Sequence, residues 1–384
     1  MSRHYLDHAS TTPLRPEAAD AMMAVLAATT ELGDPGRLHA EGRQARDLLE
    51  RAREQVAAFL GTRPRQVVLT SGATEAINAA VWGATRARPG GAVILADVEH
   101  SAVREASARL APTVTVPVTS TGALVAAAVD EALGDAASQG RPVALVHCQL
   151  ANHEVGTVQP LSAVVEICRR HGVPVHVDAA AGAGHLPMAV DETGADLVSV
   201  SAHKMGGPQG AGCLVVRRGL RIDPFVVGGE QERARRGGLE NLAAAAGFGA
   251  AAAVLAEPGR IEDEAAAHGA LVAELVVAAT AVPGVSLLGE PDPAGRLPHL
   301  ACLAIDGVEA EPVLLSLDHA GVAAHSGSAC ASESLAPSPV LAAMGAPADR
   351  SLRLSVGWTT TVADVDAFVA AFGPAVERLR SLRG

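Results

Sequence analysis

The chain has 384 residues, a hydrophobic content of 49% and a formal net charge of −12 at pH 7. This length is sufficient for one large domain and a smaller one, and the negative charge argues against general nucleic-acid binding. The five cysteines include no CxxC pair and do not resemble a disulfide framework. The longest apolar stretch, 242–256, is shorter than the roughly 18 residues that a membrane span needs. We therefore expect a soluble protein of the reducing cytoplasm, with no membrane, nucleic-acid or metal partner.

Helices and strands alternate along the first two thirds of the chain. Helices are predicted at about 16–28 and 40–60, and another follows the turn at 71–75. The predicted strands are 66–70, 92–96, 113–118, 143–148, 173–177, 197–200 and 212–216. Most of them are continuous apolar runs, as expected for a sheet that helices cover on both faces. The pattern predicts an α/β fold with a mostly parallel, doubly wound sheet.

The composition changes after about residue 257. A long helix is predicted at 259–282, and the strands that follow it are 301–305, 322–325 and 352–356. We interpret this region as a smaller α+β domain that the N-terminal segment joins. The predicted boundaries are 15–257 for the large domain, and 1–14 together with 258–384 for the small one.

Lys204 is the only lysine among the 30 Lys and Arg residues of the chain. An amine that burial or nearby cations deprotonate can form a Schiff base, which a guanidinium cannot do. An apolar run, 195–200, precedes Lys204, and a glycine-rich turn follows it. The loop after a parallel strand is where α/β enzymes place their reactive groups. We interpret Lys204 as a residue that carries chemistry rather than as a surface cation.

Three strand ends carry further candidates. The turn 71–75 opens a helix, and its free N–H groups, with the hydroxyls of Ser71 and Thr74, suit a phosphate as well as they suit an ordinary helix cap. Asp178 ends a predicted strand about one crossover unit before Lys204. A carboxylate there either caps the next helix or, beside a Schiff-base lysine, binds the ring nitrogen of pyridoxal phosphate (PLP). His100 also follows a strand, where it could stack on a cofactor ring and move protons or simply cap a helix.

The cysteines and one arginine complete the set of candidates. Four cysteines fall in apolar segments and are interpreted as small core residues: Cys148, Cys168, Cys213 and Cys302. Cys330 lies instead in the polar stretch 326–332, where a thiol could act as a nucleophile if cations lower its pKa. Arg353 lies within a predicted strand and either pairs with an internal acid or holds a substrate carboxylate. The charged, glycine-flanked loop 228–238 is either a solvated loop or a subunit contact.

Together these segments resemble the cysteine desulfurases of the NifS/IscS type, in the class V aminotransferase group of fold-type I PLP enzymes. The resemblance extends over almost the whole chain. The matching segments are 6–13, 70–75, 99–100, 152–156, 176–179, 201–204, 228–241 and 326–332. The Ser-Gly-Ser-Ala-Cys sequence that ends at Cys330 is the most specific of them, and it indicates the subgroup with a long cysteine-bearing loop.

The resemblance implies a fold-type I PLP-dependent transferase in which Lys204 binds pyridoxal 5'-phosphate covalently. It implies that Asp178 contacts the pyridine nitrogen and that His100 stacks on the ring and exchanges protons. Four residues are expected to hold the phosphate: Ala73, Thr74, Ser201 and His203. Arg353 is expected to bind the substrate carboxylate, and Cys330 to attack the substrate sulfur.

The implied reaction converts L-cysteine to L-alanine and leaves the sulfur on Cys330 as a persulfide for a sulfur-acceptor protein. The sequence does not identify that acceptor, which could serve iron–sulfur cluster assembly, tRNA thiolation or another pathway. Members of the family are homodimers in which the loop corresponding to 228–241 reaches into the partner's site. We therefore expect a homodimer that passes sulfur to an acceptor protein.

Three positions depart from the family pattern. The family usually has Gln where this chain has Ala181, Asn where it has His153, and Thr where it has Leu239. The first two normally contact the hydroxyl side of the cofactor, and the third donates to its phosphate across the dimer. Each missing hydrogen bond should weaken cofactor binding by about 1 kcal/mol, or ~1.5–3 kcal/mol at the charged phosphate. We hypothesise that His153 supplies the hydroxyl-side contact that Ala181 cannot make.

Two alternatives stay open at this point. One is another PLP reaction on the same scaffold, such as selenocysteine lysis or transamination, although a transaminase would not need the Cys330 thiol. The other is a weakly active relative that serves as a sulfur-relay scaffold, which only the three departures support. The presence of Lys204 argues against the sulfur-relay alternative, because a lysine without a function would be expected to be arginine like the other basic residues of this chain.

Overall fold

The structure of the protein is a computed structural model, and it describes residues 3–28, 30–326 and 337–382. Its strands are β1 (His4–Tyr5), β2 (Val67–Thr70), β3 (Ala92–Ala96), β4 (Thr113–Val116), β5 (Val143–His147), β6 (Val175–Asp178), β7 (Leu197–Ser201), β8 (Gly212–Val216), β9 (Val285–Leu288), β10 (Leu300–Ile305), β11 (Val322–Ala323) and β12 (Ser351–Ser355). Its α-helices are α1 (Pro16–Ala27), α2 (Ala40–Phe59), α3 (Ala73–Ala87), α4 (Ser101–Leu110), α5 (Ala126–Ser138), α6 (Leu161–His171), α7 (Val190–Thr193), α8 (Gln231–Ala234), α9 (Leu242–Leu255), α10 (Arg260–Thr280), α11 (Ala310–His319), α12 (Pro339–Ala343) and α13 (Val362–Ser381).

The main sheet has the strand order β2-β8-β7-β6-β5-β3-β4. Strands β4, β3, β5, β6 and β7 are parallel to one another, whereas β8 runs antiparallel to its neighbours β7 and β2. This confirms the predicted α/β fold with a mostly parallel sheet. Because the parallel strands all end at the same edge, the residues that follow β3, β5, β6 and β7 lie near one another.

Helices cover both faces of the main sheet, which explains its continuous apolar strands. On one face, Ile77 of α3 and Val103 of α4 are buried with Leu145 and Leu197 of the sheet. On the other face, Val164 of α6 belongs to a larger apolar core with side chains of α2 and α5. Each such side chain contributes about 1.5–3 kcal/mol through burial.

A glycine turns the chain between β2 and α3. Gly72 has a φ of 153°, within the region that glycine reaches more easily than other residues. The Thr70 hydroxyl donates to the Gly72 carbonyl at 2.9 Å, and α3 begins at the next residue, Ala73. The N–H groups of the first turn of α3 therefore face the carboxyl edge of the neighbouring strands without intrahelical partners.

A second sheet, with the order β12-β10-β9, is antiparallel and has its own apolar core. Side chains of α10, α11 and α13 pack on it, and Leu303, Leu354 and Phe368 are fully buried there. Leu6 belongs to the same core, and β1 just before it pairs in parallel with β11. The N-terminal segment thus packs with the last third of the chain. The domain boundaries at 14/15 and 257/258 stay a prediction.

Prolines account for two of the differences between the predicted and observed strand ends, whereas the strand predicted at 322–325 ends at Ala323. The predicted strand 113–118 ends at Val116 because Pro117 has no N–H to donate. The predicted strand 173–177 begins only after Pro174 and extends to Asp178. The four cysteines expected in the core are indeed buried.

Helix α9 carries the longest apolar stretch of the chain. Its Ala244, Phe248, Ala252 and Leu255 are buried in the larger core. No single helix in the described ranges is long and apolar enough to cross a membrane. Only α9 and α10 taken together, with a bend of 80° between them, meet that length and composition.

Candidate active site

A cavity of about 500 Å³ lies at the carboxyl edge of the main sheet. Every predicted site residue within the described chain lines it: Ala73, Thr74, His100, His153, Asp178, Ser201, His203, Lys204 and Arg353. The remaining predicted site residue, Cys330, lies outside the described residues. The fold thus brings together side chains from both sheets, as the strand-end argument predicts for the main sheet.

Lys204 ends a short 3-10 helix, Ala202–Lys204, that directly follows β7. Burial and, after it, the nearby Arg353 guanidinium lower the pKa of its amine to about 8. The carboxylates of Asp178 and Asp7 oppose this effect. At pH 7 about a tenth of the amine is therefore deprotonated, far more than at an ordinary lysine, and this is the form that attacks a carbonyl.

Asp178 lies at the end of β6, in register with Ser199 of the adjacent parallel strand β7. Its Oδ1 accepts the Ala180 N–H at 3.0 Å and the Ser199 hydroxyl at 3.4 Å. The carboxylate therefore caps the following turn, as the simpler interpretation expected, and it also faces the cavity. These two bonds fix an anionic group where a protonated ring nitrogen could be bound.

His100 and His153 form a pair of neutral imidazoles in the cavity wall. Their ring centroids lie 5.0 Å apart with the planes at 71°. Burial, followed by the charge of His153, lowers the pKa of His100 to about 4. Burial, followed by the charge of Lys204, lowers that of His153 to about 3. His100 caps α4, with Nδ1 accepting the Ala102 N–H at 3.1 Å, so its proton is on Nε2. His100 is thus both a helix cap and a residue of the cavity.

The turn before α3 forms the anion-binding end of the cavity. The N–H groups of Ala73 and Thr74 lie in the first turn of α3, where the helix dipole favours negative charge. Glu75 accepts the Ser71 N–H at 2.9 Å and pairs with Arg236 at 3.0 Å, which compensates the acid's charge. Across the cavity, Ser201 and His203 follow β7.

Arg353 of β12 approaches the same cavity from the second sheet and is only 2% exposed. It donates to the Asp7 carboxylate at 3.0 Å, the Ser10 hydroxyl at 2.7 Å and the His153 carbonyl at 3.0 Å. Pairing with an internal acid, one of the two expected alternatives, is thus present. The Arg353 Nε–H has no partner among the described residues, and together with the second Nη1–H it is left for a carboxylate.

Several residues of the site carry no local sequence signal for their role. Asp7 and Ser10 bind an arginine that lies more than 340 residues later. Gln149 follows β5 and lines the cavity, and buried Glu99 accepts its N–H at 2.8 Å. The order of strands would have found Gln149, since β5 is next to β6, but the Asp7 contact depends on tertiary packing.

The departures from the family pattern lie where they could affect cofactor binding. Ala181 lines the cavity near Asp178. Leu239 is 61% exposed and lies with Arg236 beside the turn at Ser71. Among the described residues there is no group of His, Cys, Asp and Glu side chains that could hold a metal ion.

Comparison with known proteins places these observations in a family. Residues 4–368 match the family described as aminotransferase class V. An IscS-like cysteine desulfurase of Mycobacterium tuberculosis is 38% identical over 98% of this chain and 97% of that protein. A cysteine desulfurase of Cereibacter sphaeroides is 37% identical over 100% of this chain and 98% of that protein.

Solved structures agree in fold. A NifS-like protein from Rickettsia africae is 27% identical, with a TM-score of 0.86 over 98% of this chain and 99% of that chain. SspA in complex with cysteine is 26% identical, with a TM-score of 0.77 over 93% of this chain and 100% of that chain. The chain therefore belongs to the class V aminotransferase family and, within it, to the cysteine desulfurases.

Proposed function

We propose that this protein is a PLP-dependent cysteine desulfurase that converts L-cysteine to L-alanine and transfers the sulfur to Cys330. The observation that carries the proposal is the meeting of Lys204 and Asp178 in one cavity, at the ends of adjacent parallel strands. In PLP enzymes a lysine amine binds the aldehyde of the cofactor, and a carboxylate binds its ring nitrogen. The relatives named as cysteine desulfurases specify the reaction class.

The residues of the cavity fit the cofactor. The first turn of α3 supplies N–H groups for the phosphate, together with the side chains of Thr74, Ser201 and His203. Asp178 is the acceptor for the ring N–H, and the neutral ring of His100 offers a stacking surface. When bound, PLP supplies an electron sink that makes the Cα proton of an amino acid removable.

The protein's own groups account for the remaining steps. The Lys204 amine, with a pKa near 8, accepts the Cα proton. The remaining N–H donors of the Arg353 guanidinium orient the substrate carboxylate. The Cys330 thiolate then attacks the substrate sulfur, so that an S–S bond forms and the C–S bond breaks. The electron pair of that C–S bond stays with the substrate carbon, which is protonated to give alanine, and no external oxidant is needed.

The test is alanine and persulfide formation from L-cysteine with PLP, in the wild type and in Cys330→Ala. The variant should lose turnover while it still binds the cofactor at Lys204, as borohydride trapping would show. Burial raises the pKa of the other cysteines, to about 12 for Cys168 and Cys302, so those thiols should remain unreactive. Persulfide on any cysteine other than Cys330 contradicts the assignment.

The contact of His153 with the hydroxyl side of the cofactor is part of the proposal. His153 is buried next to His100, and burial keeps it neutral, so it can donate or accept one hydrogen bond. His153→Ala should shift the visible absorbance of the loaded protein and its pH titration, whereas His153→Asn, the usual family residue, should restore both. An unchanged spectrum in His153→Ala contradicts this contact.

The proposed assembly is a homodimer in which the loop 228–241 contacts the partner subunit. Exposed apolar side chains of this region support it, since Val227 is 75% and Leu239 is 61% exposed. Glu232 of the same loop is buried and tied to Arg53, so the loop is not simply solvated. Light scattering should give twice the 38.8 kDa of one chain, and a monomer at micromolar concentration would contradict the dimer.

A further inference from the structure

The loop that carries Lys204 is held through its backbone carbonyls. Each carbonyl from residue 203 to residue 206 accepts a hydrogen bond from a group outside the loop. The bonds are Thr12 N–H to His203 (3.1 Å), His185 Nε2–H to Lys204 (3.1 Å), Arg15 Nε–H to Met205 (3.1 Å) and Arg15 N–H to Gly206 (2.9 Å). The bond to Lys204 itself is the one that comes from an imidazole.

The protonation state of His185 follows from this contact. A carbonyl oxygen can only accept, so Nε2 carries the proton and Nδ1 has a lone pair in the neutral ring. Nδ1 is buried and has no partner among the described residues. The ring is stacked on that of His299, with centroids 3.5 Å apart and planes at 19°. Stacking fixes the ring plane and therefore the direction of the Nε2–H bond.

The surroundings of His185 keep it neutral. Burial, followed by His268 and Arg15, lowers its pKa to about 3. Glu264, which pairs with Arg15 at 2.7 Å, and the Lys204 carbonyl oppose it. His299, on the other side of the stack, also has a pKa well below its usual value because of burial. The donor at Nε2 is thus present throughout the physiological pH range.

We propose that His185 is a positioning residue that fixes the peptide of Lys204 and thereby holds the lysine amine in its enclosed place beside Arg353. Without the Nε2–H donor, the Lys204 carbonyl has no hydrogen-bond donor within its own loop. The Lys204 peptide can then rotate toward a different donor. The amine would then move away from Arg353 into a more hydrated position. This inference concerns the lysine that the proposed function uses, but it can be tested without cofactor or substrate.

The single lysine makes the test direct. Reductive methylation of the cofactor-free protein with 13C-formaldehyde labels Lys204 and the N-terminal amine, and Lys204→Arg identifies the lysine resonance. An NMR pH titration then reports the pKa of Lys204. The variants are His185→Gln, whose Nε2 can replace the imidazole donor, and His185→Asn, whose shorter amide cannot reach the carbonyl. His185→Met removes the donor at similar length.

The wild type and His185→Gln should titrate near pH 8 at Lys204, whereas His185→Asn and His185→Met should titrate nearer the usual 10.5. A purely structural role would lower the melting temperature of the variants and leave the Lys204 titration unchanged, and this result overturns the proposal. If His185→Met does not fold, the comparison of His185→Gln with His185→Asn tests the proposal alone. Both introduce a neutral amide, and only the Gln amide reaches the Lys204 carbonyl. Absence of desulfurase activity in the PLP-loaded wild type, with the titrations as expected, would instead contradict the proposed function and leave this inference standing.

Discussion

The Arg353 guanidinium donates a 3.0 Å hydrogen bond to the carboxylate of Asp7, although 346 residues separate the two in the chain. This contact joins the N-terminal segment to β12, next to the backbone bond from Ser355 to Leu6 at 2.8 Å. It also sets the direction in which Arg353 can offer its remaining donors to the cavity. Asp7 is therefore a part of the site that touches the arginine but need not touch the substrate.

We predict that Asp7→Asn raises the KM for L-cysteine by about 10-fold and changes kcat less. The physical reason is that a hydrogen bond between charged groups contributes ~1.5–3 kcal/mol. Without this bond to Asp7, the Arg353 guanidinium is no longer held in the orientation that binds a carboxylate. Steady-state kinetics on the loaded enzyme measures both constants. Asp318→Asn is the control, since Asp318 pairs with Arg3 at an exposed position, and it should leave KM unchanged. An unchanged KM in Asp7→Asn would mean that Arg353 does not need this partner.

Glu99 is a buried acid whose carboxyl group pairs with no cation among the described residues. It is 1% exposed, its Oε1 accepts the Gln149 N–H at 2.8 Å, and its Oε2 has no partner among the described residues. The Arg104 Nε–H donates to the backbone carbonyl of Glu99 rather than to its carboxyl group. Burial, followed by the charge of Asp178, raises the pKa of Glu99 to about 8. At neutral pH the folded protein therefore holds this carboxyl in its protonated form.

We predict that Glu99→Gln becomes more stable than the wild type as the pH rises. The folded wild type keeps the Glu99 proton up to about pH 8, whereas the unfolded chain loses it near 4.5. Between these pH values the wild type is destabilised progressively, because its unfolded state releases the proton and its folded state does not. The difference in the free energy of unfolding between Glu99→Gln and the wild type therefore grows with pH and reaches about 3 kcal/mol at pH 7. Urea unfolding of the cofactor-free protein between pH 4 and 9 measures it. A difference that does not depend on pH would show that Glu99 ionises normally.

The sequence alone predicts the residues of the site that directly follow strands of the main sheet. Lys204 and Asp178 were predicted to be close because each ends an apolar run of a parallel sheet, and β6 and β7 are indeed adjacent. The same reasoning could not give Asp7 or His185, because their contacts depend on how the second core packs against the first. The sequence could not predict the raised pKa of Glu99 either, since it depends on burial and on the charge of Asp178.

We predict that Ala181→Gln strengthens PLP binding by about 5-fold, the equivalent of one ordinary hydrogen bond of about 1 kcal/mol. Ala181 lines the cavity, so an amide there can reach the cofactor. Equilibrium dialysis against PLP measures the dissociation constant. Ala180→Gln, at the neighbouring lining position, serves as a matched control and should bring no gain. Weaker binding in Ala181→Gln would mean that His153 already occupies the contact.

The last prediction concerns the buried ion pair that anchors the loop 228–241. The side chains of Arg53 and Glu232 are 2% and 0% exposed, and Glu232 also accepts the Leu69 N–H at 2.9 Å. Glu232, Arg233 and Ala234 have φ angles of 49°, 59° and 59°, which cost roughly 1–2 kcal/mol per residue in this left-handed region. The ion pair and its hydrogen bonds offset that strain and hold the segment against β2.

We predict that Glu232→Gln and Arg53→Met each lower the free energy of unfolding by about 3–5 kcal/mol, because each removes one member of the buried Arg53–Glu232 pair and leaves the other charge buried without it. The double variant should lose clearly less than the sum of the two, since it removes both charges together. Urea unfolding of the cofactor-free protein gives all the values of this cycle. Glu50→Gln is the control: Glu50 contacts Arg53 from a position 38% exposed, so its loss should change stability by less than about 1 kcal/mol. Strictly additive losses in the double variant would show that the pair is not coupled and that other contacts hold the loop.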